Sequence, residues 1–252
     1  MHWLRTILRT ILTWTVGVLV TIVGAIAALV IVLVNPNSPA IEGVLHWWSR
    51  MWLWASGTRL TIEGGENIDP QQSYIVVANH LSTLDIMVCF LAVPLPIRYL
   101  AKKELFRIPL LAQAMRAVGI IEVDRTARTS IHSSVNQQAK DLLAHNRSLI
   151  IYPEGTRPRD GVMKPFKKGA FTMAIASGLP VLPLSIHGTY EAAVPGKPWF
   201  RGGPVTAVID PPIETATLSQ ADTDTLRNQL REIIAKRVTD MGGPDPSGTV
   251  QS

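Results

Sequence analysis

The stretch Ser73-Tyr74-Ile75-Val76-Val77-Ala78-Asn79-His80-Leu81-Ser82-Thr83-Leu84-Asp85 changes character part-way along. Residues 73–79 are apolar and β-branched without clean alternation, which reads as a strand covered on both faces. Beyond it, Ile86, Val88 and Leu91 continue as a helix. Ser82 and Thr83 are helix-capping residue types, and Ser82 with Asp85 three positions on fits the capping-box pattern. His80 therefore falls in a strand-to-helix turn and Asp85 in the first helical turn. The carboxyl ends of strands are where open α/β sheets bind ligands.

The same alternation extends from residue 58 to about residue 240. RLTIEG, IRYLAK, GIIEVD, SLIIYP, VLPLSIHG and PVTAVID read as further strands. Between them Ile131, Val135, Ala139 and Leu142 recur at helical spacing, as do Leu226, Leu230, Ile233 and Ala235. The expectation is an α/β domain at 58–240 with a mainly parallel central sheet flanked by helices. Residues 241–252, MGGPDPSGTVQS, read as a flexible tail.

Residues 1–57 are different. Hydrophobic residues make up 47% of the chain and charged residues 17%, and no charged residue occurs from Thr10 to Ile41. Leu12–Val34 as a helix reaches about 34 Å, enough for a bilayer's hydrocarbon core. A cleaved signal peptide is the competing reading, but its apolar run is shorter and ends in a small-residue site. A polar turn at Asn35–Pro39 follows, then HWWSRMWLWASG, whose Trp47, Trp48, Trp52 and Trp54 suit an interfacial helix with wet indole N–H groups. The reading is a membrane-embedded helical hairpin. Arg5 and Arg9 place the N-terminus on the cytoplasmic side, and a hairpin returns the α/β domain to that face.

The net charge of +5 is concentrated: Arg98 to Lys168 holds 14 Lys/Arg against 6 Asp/Glu. That suits an anionic ligand or a membrane surface. No nucleic-acid motif or base-stacking aromatic series accompanies it, so nucleic acid is not an expected partner. Cys89, the single cysteine, excludes an intrachain disulfide and a Cys-rich metal site.

A carboxylate that accepts from one imidazole nitrogen fixes the tautomer and stabilises the imidazolium, freeing the other nitrogen to take a proton from an alcohol. His80 and Asp85 are candidates for that work in O-acyl transfer. A second constellation is Tyr152-Pro153-Glu154-Gly155-Thr156-Arg157, followed by Arg159, Lys164, Lys167 and Lys168. Gly155 admits close backbone approach, and Arg157 offers a fork matched to phosphate oxygens. A third is GIIEVDR, where Asp124 reads as a structural ion pair and Arg125 as a phosphate candidate.

Four segments in order resemble the glycerophospholipid acyltransferase family of the PlsC type: NHLSTLD at 79–85, KKELFRIP at 102–109 leading to GIIEVDR, YPEGTR at 152–157, and VLPLSIHGTYE at 181–191. The resemblance implies His80 as catalytic base with Asp85 as its partner. It implies Arg125, Glu154, Gly155, Thr156 and Arg157 as binding residues for the acceptor's phosphate, and Pro183 as part of the apolar wall. The family usually carries Phe where this chain has Tyr152. It also implies a 1-acyl-glycerol 3-phosphate O-acyltransferase, making phosphatidic acid from lysophosphatidic acid and acyl-CoA or acyl-carrier protein. It needs no metal, and no cofactor beyond that co-substrate. Another lyso-lipid acceptor (a lyso-ornithine lipid or lysophospholipid) stays open within the same chemistry. A serine hydrolase built on Ser82 lacks the G-x-S-x-G elbow. A non-catalytic lipid-binding protein would not require His80 and Asp85.

Overall fold

The computed structural model describes residues 2–123 and 147–246. Among them the seven β-rich runs are all strands of one sheet. They are β1 (Thr58–Glu63), β2 (Ile75–Ala78), β3 (Ile97–Lys102), β4 (Ile121–Val123), β5 (Ser148–Ile151), β6 (Val181–His187) and β7 (Gly203–Ile209). The spatial order is β1-β7-β6-β2-β5-β3-β4. Every neighbouring pair is parallel except β6 and β7.

Alternation along β2 divides the core. Val76 and Ala78 face one apolar layer with α3 (Asp85–Ala92). Ile75 and Val77 face the other, with α5 (Gly169–Ser177) and α6 (Thr223–Asp240). The stripe that α6 buries is Leu226, Leu230, Ile234 and Val238, so Ile234 rather than the expected Ile233 points inward; the burial follows strict i, i+4 spacing on one face. The helical pattern at residues 131–142 lies outside the described residues, as do Asp124 and Arg125.

The first 57 residues form two helices, α1 (His2–Val34) and α2 (Ala40–Ser56), joined through the turn at Asn35–Pro39. Gly57 ends α2 in the left-handed conformation at φ 70°, its N–H returning to the carbonyls of Leu53 and Trp54, and β1 starts at the next residue. At ~1.5 Å per residue α1 is about 50 Å long. Its inward stripe is mostly small, with Thr10, Thr13, Gly17, Gly24, Ala25 and Ala28 beside the larger Val20. Its large apolar residues, among them Leu8, Ile11, Leu19, Ile22 and Ile26, are exposed. A water-facing amphipathic helix does the reverse, whereas small residues at the contact and large apolar ones outward suit lipid. By length and composition this helix, over Trp3–Val34, is long and apolar enough to cross a membrane.

The tryptophans depart from the expectation of wet indoles. Trp52 is buried, and its ring lies so close to Gly17 that a Cβ there would come within 2.4 Å. Trp48 and Trp52 both donate their Nε1–H to Thr21 Oγ1, at 2.9 and 3.3 Å, not to water. Trp48 then meets Phe90 of α3 edge-on at 6.3 Å. Two of the four tryptophans thus pack inward, because Thr21 supplies the polar partner that a buried indole needs; Trp47 and Trp54 remain exposed. The hairpin is clamped further by α4 (Leu111–Val118) and β3, where the buried Arg98 meets Glu42 of α2.

Candidate active site

Parallel pairing of β2 with β5 builds the site. Val77 is level with Ile151. Continuing that register by three residues brings His80 abreast of Glu154, beyond the carboxyl ends of two central strands. The ladder between β2 and β6 ends at Ala78 and Leu184. Asn79 extends it with its side chain: the amide donates to Ile186 O, and its Oδ1 accepts from Ile186 N, both at 2.8 Å.

His80 Nδ1 lies 2.9 Å from Asp85 Oδ2. The same oxygen accepts the backbone N–H groups of Leu81 and Ser82, each at 2.7 Å. Asp85 is fully buried and His80 nearly so. The carboxylate therefore organises the whole turn, which is why the Asp lies five positions after the His, with four residues between them, rather than beside it. With Nδ1 committed, Nε2 has no hydrogen-bond partner among the described residues and is the nitrogen left for chemistry.

The capping box does not form. The helix begins at Asp85, with no side-chain cap on Leu84. The Ser82 hydroxyl instead donates to Ala193 O at 2.8 Å, fixing the turn to the loop after β6. That use keeps Ser82 out of a nucleophile's role, since its proton is given to a carbonyl.

Of the YPEGTR residues, Tyr152 lies flat on the imidazole of His80, with ring centroids 3.9 Å apart and planes 12° from parallel. Its hydroxyl is 3.4 Å from Cys89 Sγ. Burial pushes the Cys89 thiol up to about 12 and Tyr152 well above its ordinary range, so both are neutral packing groups behind the histidine. Glu154 is buried at 3% exposure. Its Oε1 accepts the His80 N–H at 2.7 Å and its Oε2 the Lys164 N–H at 2.8 Å. Burial raises its carboxyl to about 7 against the pull of those two amides.

Gly155 has φ 76°, and the Lys167 side chain occupies the space a Cβ would fill. Thr156 and Arg157 are exposed. Arg157 Nη1 donates to Thr83 Oγ1, three residues beyond His80, and Lys164 Nζ donates to Thr156 Oγ1 at 3.2 Å. Lys168 is turned away onto Asp224 of α6 at 2.7 Å. His80, Asp85, Glu154, Gly155, Thr156 and Arg157 thus come together, whereas Arg125 lies outside the described residues. Pro183 is buried in β6 opposite Val77, below this turn. Tyr152 stacking and the Asn79 brace are not legible as functions from the sequence; the only prior signal was their position in two motifs.

A model of the Acyltransferase family matches residues 59–187, which contain His80, Asp85, Glu154, Gly155, Thr156 and Arg157. A 1-acyl-sn-glycerol-3-phosphate acyltransferase of Borreliella burgdorferi is 30% identical over 191 residues, covering 75% of each chain. The alpha form of the human enzyme with that name is 30% identical over 175 residues, 69% of this chain and 62% of the human one. The coconut enzyme is 34% identical over 170 residues, and the chain spans little more than half of its length, 54%. The crystal structure of the 1-acyl-sn-glycerophosphate acyltransferase PlsC from Thermotoga maritima superposes with a TM-score of 0.83 at 25% identity, over 97% of this chain and 99% of that one. The chain belongs to the acyltransferase family.

Proposed function

We propose that this acyltransferase moves a fatty acyl group from acyl-CoA or acyl-carrier protein to the free hydroxyl of 1-acyl-glycerol 3-phosphate, yielding phosphatidic acid. The observation that carries the reading is the buried His80–Asp85 pair with the Arg157 guanidinium bonded to the same turn. The acceptor hydroxyl gives its proton to His80 Nε2 as its oxygen attacks the thioester carbonyl. The C–S bond breaks, the thiolate leaves, and the imidazolium, balanced by Asp85, returns the proton to it. Arg157, with Thr156 and Lys164 beside it, faces the acceptor phosphate, and Arg125 is the further candidate for that contact. The relatives named for this acceptor support the choice of substrate.

The outward apolar face of α1 suits membrane delivery of an acyl-bearing acceptor. The catalytic domain then sits on the cytoplasmic face, where the donor is soluble. With Cys89 replaced by Ala, single cysteines at Thr6 and Ser73 both stay protected from an impermeant thiol reagent in sealed cells. Labelling of the Ser73 position alone from outside contradicts that placement. The substrate assignment is tested with purified protein, a labelled acyl donor and a panel of lyso-lipid acceptors. Lysophosphatidic acid is acylated fastest, and a preference for an acceptor without a phosphomonoester overturns the choice.

A further inference from the structure

The resemblance places Glu154 with the acceptor's phosphate, yet its surroundings suit a different task. Its two carboxylate oxygens are each taken by a backbone N–H, from His80 and from Lys164. It is 3% exposed. Were it ionised beside a phosphate it would repel it, and it presents no donor. What it does hold is the one backbone amide belonging to the histidine.

We infer that Glu154, together with Tyr152, positions His80, so that one turn after β5 sets the base while its exposed end, Thr156 and Arg157, faces the acceptor. Placing an imidazole requires three things. The Cα must be fixed, the ring plane must be fixed, and the tautomer must be fixed. Asp85 does the third through Nδ1. Glu154 does the first through the His80 N–H. Tyr152 does the second, its ring 3.9 Å from the imidazole and near-parallel to it. Tyr152 and Glu154 are alternate residues continuing β5, and β5 is paired directly with the strand that carries His80. A carboxylate suits the first task because two N–H donors converge on it: Gln would offer one acceptor and set its NH₂ against the other donor. Burial raises Glu154 to about 7 while those two amides pull it back down, so within the buried site the amides are what favours its ionised form.

The inference rests on the proposed role of His80, and the test separates the two. Glu154→Gln, Glu154→Ala and Tyr152→Leu are assayed for kcat and acceptor KM. In parallel, ethoxyformylation of His80 is followed peptide by peptide, with His187 as an internal reference. Loss of a positioning contact lowers kcat by roughly 10²-fold for Glu154→Ala, less for Glu154→Gln, and leaves acceptor KM near its original value. The modification rate at His80 changes while that at His187 does not. If Glu154 held the phosphate, acceptor KM would rise and His80 would react as before, which overturns the inference. A parallel change at both histidines reports general loosening of the fold and also overturns it. Should Glu154→Gln be too unstable to assay, Tyr152→Leu carries the same readings. If His80→Ala retains turnover, the proposed mechanism fails, while the modification rates still decide whether Glu154 and Tyr152 hold the ring.

Discussion

Arg98 of β3, 1% exposed, grips both carboxylate oxygens of Glu42 on α2, at 2.7 and 3.2 Å. The same guanidinium donates to the carbonyls of Ile97 and Val118, the latter at the carboxyl end of α4. One side chain thus joins the N-terminal helical hairpin to the sheet. Removing one partner of a buried pair leaves a charge without compensation, which costs about 3–5 kcal/mol. Glu42→Ala should therefore lower the unfolding midpoint strongly. The double replacement Arg98→Met with Glu42→Leu should recover much of that loss, because it buries no charge. Thermal unfolding of the three proteins in detergent checks both statements, and a double variant no better than the single one would contradict the second.

Gly17 is where α1 and α2 come closest, against the ring of Trp52. Trp52 is held by Thr21 and by Phe200, 6.3 Å away, so it has little room to yield. Gly17→Val should cost about 1–3 kcal/mol through overpacking and shift tryptophan emission to the red as Trp52 is displaced. Unchanged emission would mean the helices separate without disturbing that ring.

The fold was legible where it depends on local pattern. The seven strands are short β-rich runs bounded by turn residues, and His80 and Asp85 lie five positions apart on one turn. What was not legible depends on partners remote in the chain. Ser82 has the right spacing for a cap, but Ala193 takes its hydroxyl. Glu154 reads as part of a phosphate loop until the register of β2 against β5 sets it under His80. Trp48 and Trp52 read as interfacial because nothing local marks Thr21 as their acceptor.

Glu154 carries a pH signature. Burial lifts its carboxyl from 4.5 to about 7, with the Asp85 charge adding to the rise and the Lys164 and His80 amides and the Lys164 charge opposing it. An acid raised in the folded state binds its proton more tightly there than in the unfolded chain, the reverse of a salt-bridged carboxylate. Its contribution favours folding below pH 4.5 and is lost as the pH rises through about 7, where the buried charge must be carried. Glu154→Gln should remove that part of the slope, on the order of 3 kcal/mol at ~1.36 kcal/mol per pH unit. Unfolding midpoints of both proteins across this window measure it, and equal slopes would mean that Glu154 titrates as it does unfolded.

Arg157 is exposed at the edge of the site, bonded to Thr83. Arg157→Ala should raise the acceptor's KM more than the donor's. Arg157→Lys should restore only part of the loss, because an ammonium cannot reproduce the planar fork. Equal effects on the two substrates would place the acceptor phosphate elsewhere.

The most direct measurement is the initial rate of labelled acyl transfer to 1-acyl-glycerol 3-phosphate by His80→Ala, beside the unmodified protein and Asp85→Asn. The imidazole is the group whose second nitrogen is held free by Asp85. Its loss should lower turnover by ~10²–10⁴-fold with the fold retained, and Asp85→Asn should be severe because the amide keeps the shape without the charge. Turnover by His80→Ala at about a tenth of the unmodified rate or more, far above what loss of a general base leaves, would contradict the account.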